Sequence, residues 1–531
     1  MVRAAFGLCY RSVIVMAKSV VATSTLRRAA DLGRAGFHGL KLRGSTNEVV
    51  RDNARLHLVQ RLGRLRGLPQ KMGQILSMSE DDETADAFAP LTDSAEPVPL
   101  EALLPVMAEQ WKREPETIFG DIDAHGLAAS LGQVHRATLR DGRVVAIKVQ
   151  YPGIREAVEA DLKMLGWLSE PVGGLGRGFD LADYRRAIRD SLNEELDYVR
   201  EAEHQRAYAD ASGELNVTVP QVVDELSGPR VLTTVWEDGQ TIREVKDWPV
   251  ETRKALGRQM LKHFLFMLFD GGLLHADPHS GNYRFRAGDG EPQIVLYDFG
   301  CVRVVPEQER LTLLRLIHDT YHTRDADPYP FFVKLGFDPA TLEPLRHKLP
   351  ALCRVLFDPF SSPMKFDLQF WRRSERIGDI LGDDRWNFRI SGPARLIFIL
   401  RAFHGLVYYL RELQEPVSWT QFLRPLIAKH ADAMKRLELP VPADPRSSFA
   451  CLAKHLCIKV TDSGTVKAKV TLPAEAIDEL QNIIDPQVQE KIESRGITLD
   501  ALVRKARVSQ YAPQPVFSLD DGPKRYEVWL E

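Results

Sequence analysis

Four residues of this chain, Lys148, Asp277, Asn282 and Asp298, stand in patterns suited to handling phosphate. Lys148 closes the run Val145-Ala146-Ile147-Lys148, and a lysine so placed on a strand offers a cation to nucleotide phosphates. The segment His275-Ala276-Asp277-Pro278-His279-Ser280-Gly281-Asn282 has the spacing H-x-D-x-x-x-x-N. Asp277 is then the carboxylate that orients or deprotonates an acceptor, and Asn282 an oxygen ligand for magnesium. Twenty-one residues after Asp277, behind the apolar run Ile294-Val295-Leu296-Tyr297, comes Asp298-Phe299-Gly300. Its aspartate is the expected second magnesium ligand, and its glycine permits a sharp exit. Each pattern alone is weak; the three together, in this order, specify phosphoryl chemistry with ATP or ADP and Mg2+. His275 and His279 are read as scaffold residues, because magnesium prefers oxygen ligands.

Local elements must hold these groups in place. Val134–Leu139 and Arg143–Gln150 read as two strands joined by Asp141-Gly142, a strong hairpin signal. Side chains alternate along a strand, so Ala146 and Lys148 share one face: a small residue for a flat base, beside a cation for its phosphates. Before the hairpin, where glycines would let backbone amides approach phosphates, the chain has Ala128-Ala129-Ser130-Leu131-Gly132-Gln133. Ala128, Ala129, Ser130, Gly132 and Gln133 are assigned to the nucleotide with Ala146 and Lys148. A strand over Arg230–Trp236 runs into Glu237-Asp238-Gly239, where the backbone at Val235, Trp236 and Glu237 faces an adenine edge. The lysine also needs an acidic partner. One continuous helix is expected over Leu181–Ala211, carrying Glu195, Asp197 and Glu201, and Glu201 is assigned to Lys148.

Composition bounds the rest. The 531 residues have a formal net charge of -3, which argues against a nucleic-acid binder. The five cysteines, Cys9, Cys301, Cys353, Cys451 and Cys457, form no zinc pattern and suit a reducing compartment. The longest apolar run, Leu396–Leu410, contains Arg401 and His404, so it reads as a buried helix and not as a membrane span. Residues 1–46 carry eight Lys or Arg and one acid, Asp31. That pattern suits a transit peptide, a basic helix on an anionic membrane or a solvated extension. Four parts are expected: a helical extension over 1–110, a strand-rich part over 111–236, a mainly helical part over 237–440, and a linker with a small tail over 441–531. In the tail, two short strands flank Asp462-Ser463-Gly464 and a helix spans Ala474–Ile484.

Together these motifs resemble the UbiB-type, or aarF domain-containing, atypical kinases of the protein-kinase-like superfamily. The most specific likeness is Lys71-Met72-Gly73-Gln74, which matches that family's K-x-G-Q motif. Ala128–His135 matches its alanine-rich loop, Glu195-Leu196-Asp197 its E-x-D motif, and Glu201 falls where the lysine's glutamate is expected. The resemblance implies an α+β, two-lobed protein-kinase-like fold with an amino-terminal helical extension and a small carboxy-terminal α+β tail. It also implies that Lys71 and Gln74 are regulatory and that Lys71 meets Glu195 and Asp197 over the active site, blocking a protein substrate. The implied role is an ATPase or small-molecule or lipid kinase supporting ubiquinone biosynthesis, with a nucleotide-binding scaffold as the alternative. Implied partners are prenyl-quinone precursors or lipids, a peripheral membrane surface, and a homodimer or biosynthetic complex. The implied location is the cytoplasm or inner-membrane surface in a bacterium, or the mitochondrial matrix side in a eukaryote. The chain departs from the family in an alanine run one residue shorter, in the lack of an A-P-E motif, and in a soluble tail where many members have two membrane-spanning helices.

Overall fold

A computed structural model describes residues 97–129, 131–159, 193–213, 215–288, 290–323, 326–393, 395–441 and 453–531. The expectations placed on Lys71 and Gln74, on Ser130, on Cys9 and Cys451, and on the helical reading of 1–96 lie outside the described residues. The chain divides into two compact units. One comprises Met1–Thr241, His275–Arg286 and Gln293–Val302; the other comprises Ile242–Leu274, Ala287–Pro292 and Arg303–Glu531.

In the first unit, strands β1 (Phe119–Ile122), β2 (Leu127–Ala128), β3 (Gly132–Leu139) and β4 (Val144–Gln150) belong to one antiparallel sheet. β3 pairs with β1, β2 and β4. The expected hairpin forms. Gly142, at φ 90, closes it, its backbone N–H donating a hydrogen bond to the Leu139 carbonyl at 2.9 Å. The Asp141 carboxylate accepts from the Arg143 amide at 3.0 Å, a side-chain turn typical of aspartate. Val145, Ile147 and Val149 have no solvent exposure and join Leu103, Met107 and Leu131 in the core. Full burial of each such side chain contributes about 1.5–3 kcal/mol. That burial fixes the strand's register, so Ala146 and Lys148 are left on the other, half-buried face.

Helix α1 (Leu104–Trp111) packs Val106 and Met107 into this core, and the Trp111 indole donates to the Leu226 carbonyl at 2.9 Å. The continuous helix expected up to Ala211 is interrupted. Helix α2 runs Tyr198–Ala211, and Asp197 is its N-cap, outside helical backbone, accepting from the Arg200 amide at 3.2 Å. Aspartate competes for backbone donors better than it propagates a helix, so Glu195 and Glu201 do not share one helix. A second sheet joins β5 (Val217–Thr218), β7 (Tyr283–Arg286) and β8 (Gln293–Leu296), while β6 (Val231–Val235) extends the first sheet beside β4.

The second unit is mainly helical. Helix α3 (Val250–Phe266) ends in a π-helical turn over Met267–Gly271, and Gly272, at φ 69, terminates it. The apolar run becomes helix α4 (Leu396–Leu413), with Arg401, Leu406 and Tyr409 buried. Among the described residues no helix is long and apolar enough to cross a membrane. The tail forms β9 (His455–Asp462), β10 (Thr465–Pro473), β11 (Gln514–Asp521) and β12 (Lys524–Leu530) in the order β10-β9-β12-β11. Ser463 and Gly464 both take positive φ between β9 and β10, as a two-residue hairpin requires. The helix expected over Ala474–Ile484 is instead a 3-10 segment, Ala474–Glu479, followed by a short α-turn, Leu480–Ile483. Leu456, Leu480, Val503 and Leu530 of the tail share one core with Leu349, Leu352 and Ile380. The architecture is α+β and kinase-like.

Candidate active site

The first unit brings Lys148, Glu201 and Asp298 together. β4 presents Lys148, the first turns of α2 present Glu201, and the chain leaving β8 presents Asp298. The lysine donates to both Glu201 oxygens, at 2.7 and 2.9 Å, and lies 3.1 Å from Asp298 Oδ2. Glu201 is 2% exposed and Asp298 34%. Burial alone would lower the lysine's pKa, but the Asp298 and Glu201 charges outweigh it and the net shift is upward. Asp298 goes down: burial opposes its ionisation, and Lys148 more than offsets that. Glu201 goes up to about 7, because burial exceeds the pull of a cation it must share with Asp298. Lys148 is therefore firmly charged, and two carboxylates compete for it. Asp277 adds a third negative charge that acts on Asp298.

That surplus suits a divalent cation. Asp298 contributes a carboxylate. Asn282 donates its amide nitrogen to the Asp277 carbonyl at 3.2 Å, which leaves the amide oxygen as the metal-type donor. Among the described residues no three His, Cys, Asp or Glu are grouped to hold a metal. Magnesium at nucleotide sites characteristically takes one or two carboxylates and completes its shell with phosphates and water. The donor set thus fits magnesium brought in with a nucleotide.

Backbone geometry aims Asp298. Its φ is 56, a left-handed conformation that costs a non-glycine residue about 1–2 kcal/mol and is best tolerated by Asp and Asn. The Gly300 amide, donating to Asp298 Oδ1 at 3.2 Å, helps to hold it. His275 Nε2 bonds the carbonyls of Tyr297 and Asp298 at 3.2 and 2.9 Å. Its ring packs edge-on to Tyr208, Tyr283 and Phe299, and burial lowers its pKa. It is a neutral strut under the aspartate.

The loop ahead of β3 is closed. Ala129 spends its amide on the Gly132 carbonyl at 2.9 Å, and β2 pairs Leu127 with Val134 and Ala128 with Gln133. Gln133, assigned from the sequence to the nucleotide, is fully buried and gives its side-chain amide to Val98 and His135. It is a clamp inside the sheet. Val235, Trp236 and Glu237 follow β6 as expected, but the Glu237 carbonyl already accepts from the Tyr297 hydroxyl at 2.6 Å and the Asp238 carbonyl from Arg286 at 2.9 Å. One lone pair on each of these oxygens is therefore spoken for. Glu195 lies near the site: a β-carbon on Gly300 would sit 3.7 Å from its Cγ. Asp197 caps α2. Tyr198 was not singled out from the sequence, yet its ring lies 5.1 Å from the Lys148 ammonium. The signal available was its position, three residues before Glu201 on one helical face.

The chain matches the ABC1 atypical kinase-like domain over residues 90–327. It is 29% identical over 349 residues to the Caenorhabditis elegans protein "Atypical kinase coq-8, mitochondrial", covering 60% of this chain and 46% of that one. It is 33% identical over 270 residues to the Arabidopsis thaliana "Protein ACTIVITY OF BC1 COMPLEX KINASE 8, chloroplastic", covering 48% of this chain and 35% of that one. The matched stretches thus span less than half the length of these curated relatives. The solved complex of Rv3197 with erythromycin from Mycobacterium tuberculosis aligns over 72% of this chain and 98% of that one, at 25% identity and a TM-score of 0.49. Residues 90–327 thus read as an ABC1 atypical kinase-like domain.

Proposed function

We propose that this chain binds ATP or ADP with magnesium and transfers or hydrolyses the terminal phosphoryl group, in support of prenyl-quinone biosynthesis or lipid homeostasis, and that it is not a protein kinase acting in trans. The observation that carries this reading is the Lys148 ammonium held between Glu201 and Asp298, with Asn282 and Asp277 on the adjoining loop. Bound magnesium, held by Asp298 and Asn282, would neutralise charge on the phosphate oxygens. Lys148 would orient the inner phosphates while Glu201 holds it in position. Asp277 would orient the acceptor hydroxyl or water and take its proton as the new P–O bond forms and the bond to the ADP oxygen breaks. The closed loop at Ala129 and Gly132 offers fewer free amides than a glycine-rich loop would, which favours a restrained enzyme. The quinone or lipid assignment, the membrane-surface location and the regulatory pairing of Lys71 and Gln74 with Glu195 and Asp197 rest on the resemblance to the UbiB-type family.

The test is phosphate release from Mg-ATP, with and without anionic liposomes and phenolic quinone precursors, for the wild type and Asp298→Asn. The reading expects turnover in the wild type that is lost in the variant. Equal turnover in both sinks it. Nucleotide binding with no turnover under any condition favours a scaffold instead.

A further inference from the structure

The tripeptide Pro97-Val98-Pro99 has a single N–H, because proline carries none. A residue before proline is also biased to extended backbone, so Val98 presents its N–H and C=O like one rung of a strand. The Gln133 side chain takes both. Its Oε1 accepts from the Val98 amide at 2.8 Å, and its Nε2 donates to the Val98 carbonyl at 3.0 Å. The second amide proton goes to His135 Nε2 at 2.9 Å. His135 Nδ1 lies 2.7 Å from the Asp123 carbonyl, so its partners assign the proton to Nδ1 and leave Nε2 as the acceptor. Both protons and the oxygen of the Gln133 amide are therefore engaged in a fully buried setting. Gly126 makes the room: a β-carbon there would lie 2.4 Å from Gln133 Nε2, 2.6 Å from its Cγ and 2.6 Å from His135 Nε2.

Gln133 also borders the loop, as the second residue of β3. It forms the last rung of the two-residue strand β2, opposite Ala128, and follows the turn closed by Ala129 and Gly132. A ladder this short has little stability of its own, so what holds Gln133 holds the loop. We infer that Gln133 is a positioning residue that fastens the chain at Val98 to the alanine-rich loop, so that the loop's posture and its affinity for nucleotide phosphates depend on Val98 being docked. The affinity clause rests on the function proposed above.

Two full-length variants test this. Gln133→Met keeps the volume and removes the hydrogen bonds; Val98→Pro removes the N–H from the other side and changes a side chain packed at the edge of the core. Amide exchange and Mg-ADP titration are measured for each. Both variants are expected to speed exchange at 127–133, to leave β4 and α2 protected, and to weaken Mg-ADP about tenfold, the net worth of roughly one hydrogen bond. A purely structural glutamine would lower the unfolding midpoint without changing the affinity of the folded protein. Faster exchange with affinity within twofold of wild type, or unchanged exchange at 127–133, overturns the inference. If the wild type binds no nucleotide, the function proposed above and the affinity clause both fail, and exchange at 127–133 still decides the fastening.

Discussion

Gly132 is the one glycine of the stretch Ala128–Gln133, and flexibility and packing predict opposite outcomes for Gly132→Ala. The residue lies in ordinary strand backbone, not in the left-handed region. If its value were flexibility alone, alanine would reduce the freedom of the unfolded chain and stabilise the protein by about 0.4–1 kcal/mol. The packing says otherwise. A β-carbon at 132 would stand 2.4 Å from the Val149 carbonyl oxygen and 2.7 Å from the Tyr198 hydroxyl. The first is backbone inside the β3–β4 ladder and cannot withdraw without breaking paired rungs. The second belongs to a buried ring set against Lys148. Relief therefore means opening the ladder or moving the ring, at a cost of about 1–3 kcal/mol for overpacking of this kind. Urea denaturation followed by fluorescence would show a lower midpoint, and Mg-ADP binding would weaken as the displaced tyrosine shifts Lys148. A midpoint equal to or above wild type would refute the packing account of this glycine.

Other expectations follow from the same geometry. Burial raises Glu201 from its ordinary 4.5 to about 7, so between those values the folded state holds a proton that the unfolded state has released. Stability should therefore fall as pH climbs through that window, by on the order of 3 kcal/mol, and level off above it. Glu201→Gln should remove that slope, and parallel curves for the two proteins from pH 4.5 to 8 would refute it. Ala129→Gly should loosen the turn that the 129 amide closes on the Gly132 carbonyl, cost about 0.4–1 kcal/mol of stability and raise ATP affinity, since a mobile amide can follow phosphate; unchanged affinity in a binding assay would count against the closed-loop account.

Much of the site was legible in the sequence because local rules govern it. The Asp141-Gly142 turn and the alternation along Val144–Gln150 put Ala146 and Lys148 on one face, as the structure has them. The need of a strand lysine for an acidic partner pointed to Glu201 as a neighbour of Lys148, which it is. Other features escaped for identifiable reasons. Asp197 looks like one more helix residue until its carboxylate is seen capping Arg200. Gln133 looks like a ligand contact because it borders the loop, and only the position of Val98, 35 residues away, shows that it faces inward. Tyr198 carries no motif of its own, and its place against Gly132 and Lys148 depends on how α2 packs over β4.

The division has a physical cause. Periodicity, turn chemistry and residue type act over a few neighbouring residues, so the sequence alone determined the hairpin, the kinase-like order of its chemistry, and which residues could carry charge or bind metal. Distances, burial and charge balance arise between segments far apart in the chain. Only the tertiary structure decided that two carboxylates compete for Lys148, that Asp298 is held at positive φ over a neutral His275, and that the alanine-rich loop is closed and fastened to Val98.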